Sequence, residues 1–132
     1  MKITKNLTNA EIYSKAEDLL QAFPAGEENK IPVKALFLLR KNIKVYTELA
    51  QEIEKARIEI IQKYGKPSEE DENRYIFEGE NAEKVNKELN ELVSCEQEVS
   101  YYTFSLTSLG DVEFSNAQMD AIMDFIDFDE GE

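Results

Sequence analysis

Apolar residues recur at steps of three and four along most of this chain, the period of helices that bury one face. Ile12, Ala16, Leu19, Leu20 and Phe23 form the first such stripe. It opens on Thr8-Asn9-Ala10-Glu11, a capping box in which the Thr8 hydroxyl accepts from the Glu11 amide while Glu11 reaches back. Pro24 and Gly26 mark its end.

A second stripe begins at Pro32, a residue suited to a first helical position, and meets no Gly or Pro until Gly65. About 33 residues at about 1.5 Å each predict a rod of roughly 50 Å. Leu36, Leu39, Ile43, Tyr46, Ala50, Ile53, Arg57, Ile60 and Tyr64 alternate as a heptad seam, with Leu49 and Ala56 widening it. Arg57 is the one charge on the seam, so it either pairs with a carboxylate or marks where the packing partner ends. Such a rod needs cover along its length, from the rest of the chain or from a second copy. Leu36, Leu39, Ile43, Tyr46, Ile53 and Ile60 are therefore the candidate self-association residues.

Beyond Gly65 the pattern changes. A polar connection covers 68–71, and Arg74-Tyr75-Ile76-Phe77-Glu78 reads as a short strand. Asn81 is the expected cap of a third helix with the stripe Ala82, Val85, Leu89 and Leu92. Residues 98–106 are rich in Val, Tyr, Thr and Phe with rough alternation, which predicts a strand. Tyr102 and Phe104 share one face and Tyr101 the other. Gly110-Asp111 is a turn signal before a return strand at 112–114. Ser115-Asn116-Ala117-Gln118 is a second capping box, opening a last helix with the stripe Met119, Ile122, Met123 and Ile126. The expected fold is a helix-dominated α+β single domain over 1–132. It has one very long amphipathic helix at about 31–64, three shorter helices, and a small antiparallel sheet built from 74–78, 98–106 and 112–114.

Composition adds limits. At 42% hydrophobic and 33% charged, the 132 residues can bury a core and stay soluble. One cysteine, Cys95, allows no internal disulfide and reads as packing at the end of the third helix. The opening residues lack the apolar core of a signal peptide, and no apolar run approaches the roughly 20 residues of a membrane span. These features predict a cytoplasmic protein.

Charge is distributed unevenly. The net charge is −13, and from Glu88 onward there are 12 acidic residues and no Lys or Arg. Such a stretch repels nucleic acid and anionic membranes and attracts a basic surface on another protein. The residues expected to meet that partner are Asp111 and Glu113 at the turn, Asp120, Asp124 and Asp127 on one face of the last helix, and Tyr101 as an aromatic anchor. The three aspartates also read as a solvated helix face. The tail at 129–132 is expected to fray. Lys30, Lys34, Arg40, Lys41 and Lys44 cluster in the first half of the long helix. They read as partners for the acidic third of the same or a neighbouring chain.

Little catalytic chemistry is on offer. With no histidine, Ser-His and Cys-His nucleophile systems and His-ligated metals are excluded. No phosphate-binding glycine pattern is present, and the acidic run at 69–72 fails the calcium-loop spacing. No cofactor, metal or catalytic residue is expected, and the chain reads as a non-enzyme.

IPVKALFLLRKNIK at 31–44, LAQEIEKARIEIIQKYG at 49–65 and NKELNEL at 86–92, followed by a strand and a closing helix, resemble short proteins of tailed phages and prophages of Gram-positive gut bacteria. These are grouped only as a domain of unknown function. The resemblance implies a phage-derived protein of the host cytoplasm or the virion and carries over no catalytic residue. Two functions then compete. One is an acidic anti-defence inhibitor that mimics nucleic acid in a basic groove of a host protein. The other is a virion or tail-assembly component that self-associates through the long helix.

Overall fold

The computed structural model describes residues 1–24, 30–71 and 74–127. The chain folds as helix-dominated α+β, in the order β1 (Lys2–Thr8), α1 (Asn9–Ala22), α2 (Val33–Tyr64), β2 (Lys66–Pro67), β3 (Tyr75–Ile76), α3 (Asn81–Ser94), β4 (Glu96–Tyr102), β5 (Phe104–Ser105), α4 (Asn116–Ile122) and β6 (Ile126–Asp127). Gly26, part of the expected stop after α1, and the tail at 129–132 lie outside the described residues.

α2 is one unbroken helix of 32 residues, the spine of the molecule. Pro32 sits at its N-cap with extended backbone, one residue earlier than expected. α1 and α3 pack on it, and α4 packs on α1. The Thr8 and Ser115 capping boxes both form, each side chain accepting from the amide three residues on. Asn81 does not cap α3, whose N-cap is Glu80. Its Nδ2 instead donates to the Tyr64 carbonyl at 3.1 Å, satisfying one of the orphan carbonyls at the end of α2.

The three-stranded sheet expected from 74–78, 98–106 and 112–114 is not formed. β4 pairs antiparallel with β1, from Lys2 opposite Tyr102 to Thr8 opposite Glu96. β3 pairs with β2 as a small hairpin, β5 pairs parallel with β6, and 112–114 is not a strand. In the β1–β4 ribbon, Ile3, Lys5 and Leu7 share a face with Tyr101, Val99 and Gln97, which closes one side of the core. On the outer face Thr4 and Ser100 are joined by a 2.8 Å hydroxyl hydrogen bond.

The core runs from Ile12, Ala16 and Leu19 of α1 across Ala35, Leu39, Tyr46 and Ile53 of α2 to Val99, Tyr101, Ile122, Phe125 and Ile126. At its centre Phe125 packs against Tyr101 at 5.4 Å and Tyr46 at 6.1 Å between ring centroids. Two buried asparagines stitch the layers together. Asn42 of α2 donates to the Tyr102 carbonyl and accepts from the Tyr102 amide, both at 2.7 Å, filling backbone groups on the strand edge away from β1. Asn9 donates to the Leu92 carbonyl and accepts from Gln97, both at 2.8 Å, and its own amide donates to the Cys95 carbonyl. Cys95 is exposed rather than packed.

Candidate functional site

The heptad seam of α2 is covered by the chain itself. Leu39, Tyr46 and Ile53 are buried, Leu36 and Ile43 pack partly buried against the core, and Ile60 is half-buried. The self-association surface expected there is therefore occupied by the rest of the chain. The fully buried line is Ala35, Leu39, Asn42, Tyr46 and Ile53: it keeps Leu39, Tyr46 and Ile53 of the expected seam and takes Ala35 and Asn42 in place of Leu36 and Ile43, with Asn42 turned inward to reach Tyr102. Arg57 does pair with a carboxylate. Its Nε and an Nη donate to Glu54 at 2.9 and 2.6 Å, in a partly exposed pair one turn apart. The guanidinium beside Glu54 holds that carboxyl below its ordinary range.

Tyr101 is 1% exposed, so it is a core residue and not a surface anchor. Strand alternation sends it inward beside Val99, while Tyr102 on the opposite face is half-buried. Lys5 lies 5.8 Å from the Tyr101 ring centroid, and the neighbouring Tyr101 hydroxyl raises the lysine above its usual range.

Asp120, Asp124 and Asp127 do not share a helix face. α4 ends at Ile122, a 3-10 turn covers Met123–Phe125, and the backbone is extended at Ile126. The break turns the adjacent Phe125 and Ile126 both into the core and leaves Met123, expected in the apolar stripe, 43% exposed. Asp120 is exposed on α4, Asp124 pairs with Lys15 at 3.3 Å, and Asp127 is half-buried on β6. Asp111 and Glu113 are exposed in the loop before α4.

Sequence reasoning missed a second group. Glu91 near the end of α3 and Glu96 and Glu98 on β4 are exposed. Alternation puts Glu96 and Glu98 on one face of the ribbon, about 7 Å apart. Among the described residues, Glu91, Glu96, Glu98, Asp111, Glu113 and Asp120 enter no ion pair; within the acidic third, Glu88 and Asp124 reach lysines. Glu88 also accepts from the Tyr64 hydroxyl, and that hydrogen bond leads the effects that lower its carboxyl.

Lys34, Arg40, Lys41 and Lys44 of the basic cluster are exposed on α2, whereas Lys30 precedes the helix. Lys44 pairs with Glu48 on its own helix. Lys41 lies 4.9 Å from the Phe37 ring and 5.1 Å from the Tyr102 ring. Phe37 is 59% exposed and Val33, one turn earlier, is 81% exposed. Among the described residues, no carboxylate of the acidic third pairs with Lys30, Lys34, Arg40, Lys41 or Lys44. No helix among the described residues is long and apolar enough to cross a membrane.

No protein-family model matches the chain, no curated protein matches it in sequence, and no solved structure matches its fold.

Proposed function

We propose that this chain is a non-enzymatic protein-binding module. In this reading its carboxylate surface occupies a basic, nucleic-acid-binding surface of a partner, after the manner of phage anti-defence inhibitors in the host cytoplasm. One observation carries the reading. Six exposed carboxylates without ion-pair partners among the described residues (Glu91, Glu96, Glu98, Asp111, Glu113 and Asp120) stand on or between ordered elements, in a stretch with no Lys or Arg. Fixed carboxylates of one sign steer a basic partner at long range and repel nucleic acid itself.

The test is capture of the partner from host lysate, followed by binding measured across a salt series and in competition with DNA and RNA. Affinity falls as salt rises past a screening length of about 8–10 Å, and nucleic acid displaces the module. Glu96→Gln with Glu98→Gln, or Asp111→Asn with Glu113→Asn, weakens binding while leaving the fold intact. Salt-insensitive binding that nucleic acid does not displace would refute mimicry.

A virion or tail-assembly role is the second reading, and the exposed basic cluster of α2 favours it. Val33 and Phe37 are exposed apolar residues among cations that the acidic third leaves unpaired. Such a face suits assembly with another copy or another structural protein.

A further inference from the structure

A crevice of about 440 Å³ opens between β1, α1, α2 and the 3-10 turn after α4, on a part of the molecule used by neither reading above. Leu7 and Ala10 give it an apolar wall, and Glu11, Ser14, Lys15, Asp18, Tyr46 and Asp124 supply its polar groups.

Tyr46 is the informative residue. It is 2% exposed and its ring is locked against Phe125. Yet its hydroxyl makes no hydrogen bond to any described residue. No fully buried side-chain nitrogen or oxygen in the described residues lacks a partner. The hydroxyl is therefore not fully enclosed, and Tyr46 lines the crevice. Buried hydroxyls are normally satisfied, so this one is set to bond something that enters.

The charge of the crevice says what enters. Among its lining residues, Glu11, Asp18 and Asp124 stand with one cation, Lys15, while Lys5 outside the lining also lies within coulombic reach of Asp124. The Lys15 ammonium is already committed, 3.3 Å from Asp124 and 5.0 Å above the Phe125 ring. Glu11 and Asp18 lie seven residues apart on one helix face, about 10 Å along the axis. The site is thus a short negative trough with an apolar side and a hydrogen-bonding hydroxyl in its lining. An aliphatic chain carrying ammonium groups at both ends matches all three properties. A compact divalent metal does not, because its ligands must converge on one point and these carboxylates are spread along a helix.

We infer that the crevice binds a linear polyamine, with one terminal ammonium between Glu11 and the Tyr46 hydroxyl, the alkyl chain along Leu7 and Ala10, and the other ammonium at Asp18.

The probe is spermidine, titrated by calorimetry and by amide chemical shifts on the full chain. A chain this acidic attracts any polycation, so the variants must separate the site from the general field. Tyr46→Phe keeps the ring and removes the hydroxyl, and it weakens binding about fivefold. Glu11→Gln with Asp18→Asn weakens it by tenfold or more; Gln still completes the capping box, so the fold survives. Asp111→Asn with Glu113→Asn removes the same charge elsewhere and changes affinity less than twofold. Shifts centre on residues 7–18, and magnesium at equal concentration does not displace the probe. Equal weakening by the two double variants, no response to Tyr46→Phe, or no binding would each overturn the site. None of these outcomes bears on the carboxylate surface proposed above.

Discussion

Asn42 shows how much one side chain can hold. It is fully buried on α2, and its amide is matched to both backbone groups of Tyr102. Asn42→Ala leaves an N–H and a C=O without partners in the interior, at about 1–3 kcal/mol each. We expect a loss of about 2–5 kcal/mol in urea unfolding, among the largest single-residue effects in the chain. Asn42→Asp keeps the acceptor but sets a carboxylate against the Tyr102 carbonyl, so it should not rescue. Arg57 makes the contrast. Its pair with Glu54 is half in water, where such bridges are worth about 0–1 kcal/mol. Arg57→Leu should shift stability by no more than about 1 kcal/mol at pH 7. The lowered Glu54 carboxyl sets the sign of its pH dependence. What the pair contributes is present above the ordinary carboxylate range and fades as acid protonates Glu54. Unfolding of the parent and of Arg57→Leu should therefore converge by about pH 2.

At the scale of elements, the parts governed by local rules were legible in the sequence. Both capping boxes and the uninterrupted run from Pro32 to Gly65 rest on contacts within a few residues, and they stand where the pattern puts them. β1 was not legible. Its inward face carries Lys5 between Ile3 and Leu7, which blurs the alternation, and its partner is about ninety residues away. The break in the last helix was hidden for a related reason. Ser115 signals the start, but the stop at Ile122 answers to Phe125 fitting between Tyr46 and Tyr101, a distant contact that overrides local preference. Tyr101 and the α2 seam were misassigned because periodicity shows which face is apolar and not what covers it. Gly65 supplies the element-scale prediction. A Cβ there would lie 2.8 Å from the Phe77 ring and 2.9 Å from the Ile61 carbonyl. Gly65→Ala must push apart the end of α2 and the β2–β3 hairpin, at about 1–3 kcal/mol by overpacking. Ser115→Ala should cost about 1 kcal/mol for the lost cap. Denaturant midpoints of the two variants check both.

Taken whole, the molecule is an acidic body with one basic cluster on α2. Carboxylates of one sign on ordered elements repel each other more in the folded state than in an expanded chain. Adding salt up to about 0.15 M should raise the melting temperature by screening that repulsion, and a fall with salt would show that ion pairs dominate instead. Sedimentation gives a second reading at this scale. Because the α2 seam is filled from within, any dimer should dissociate on Phe37→Ser and persist when Ile60 is changed. The pairing of β1 with β4 also has a consequence in time. Lys2 faces Tyr102 across the ribbon, so the first strand leaves the ribosome long before its complement is made. At about 5–20 residues per second, it waits on the order of 5–20 s. During that interval α1 and most of α2 exist without the strand that closes their core, and Asn42 has no backbone to bind. The N-terminal part cannot close its core before β4 has been made. Its cooperative step waits for that strand, and a ribosome stalled before about residue 105 should display a helical but protease-sensitive nascent chain.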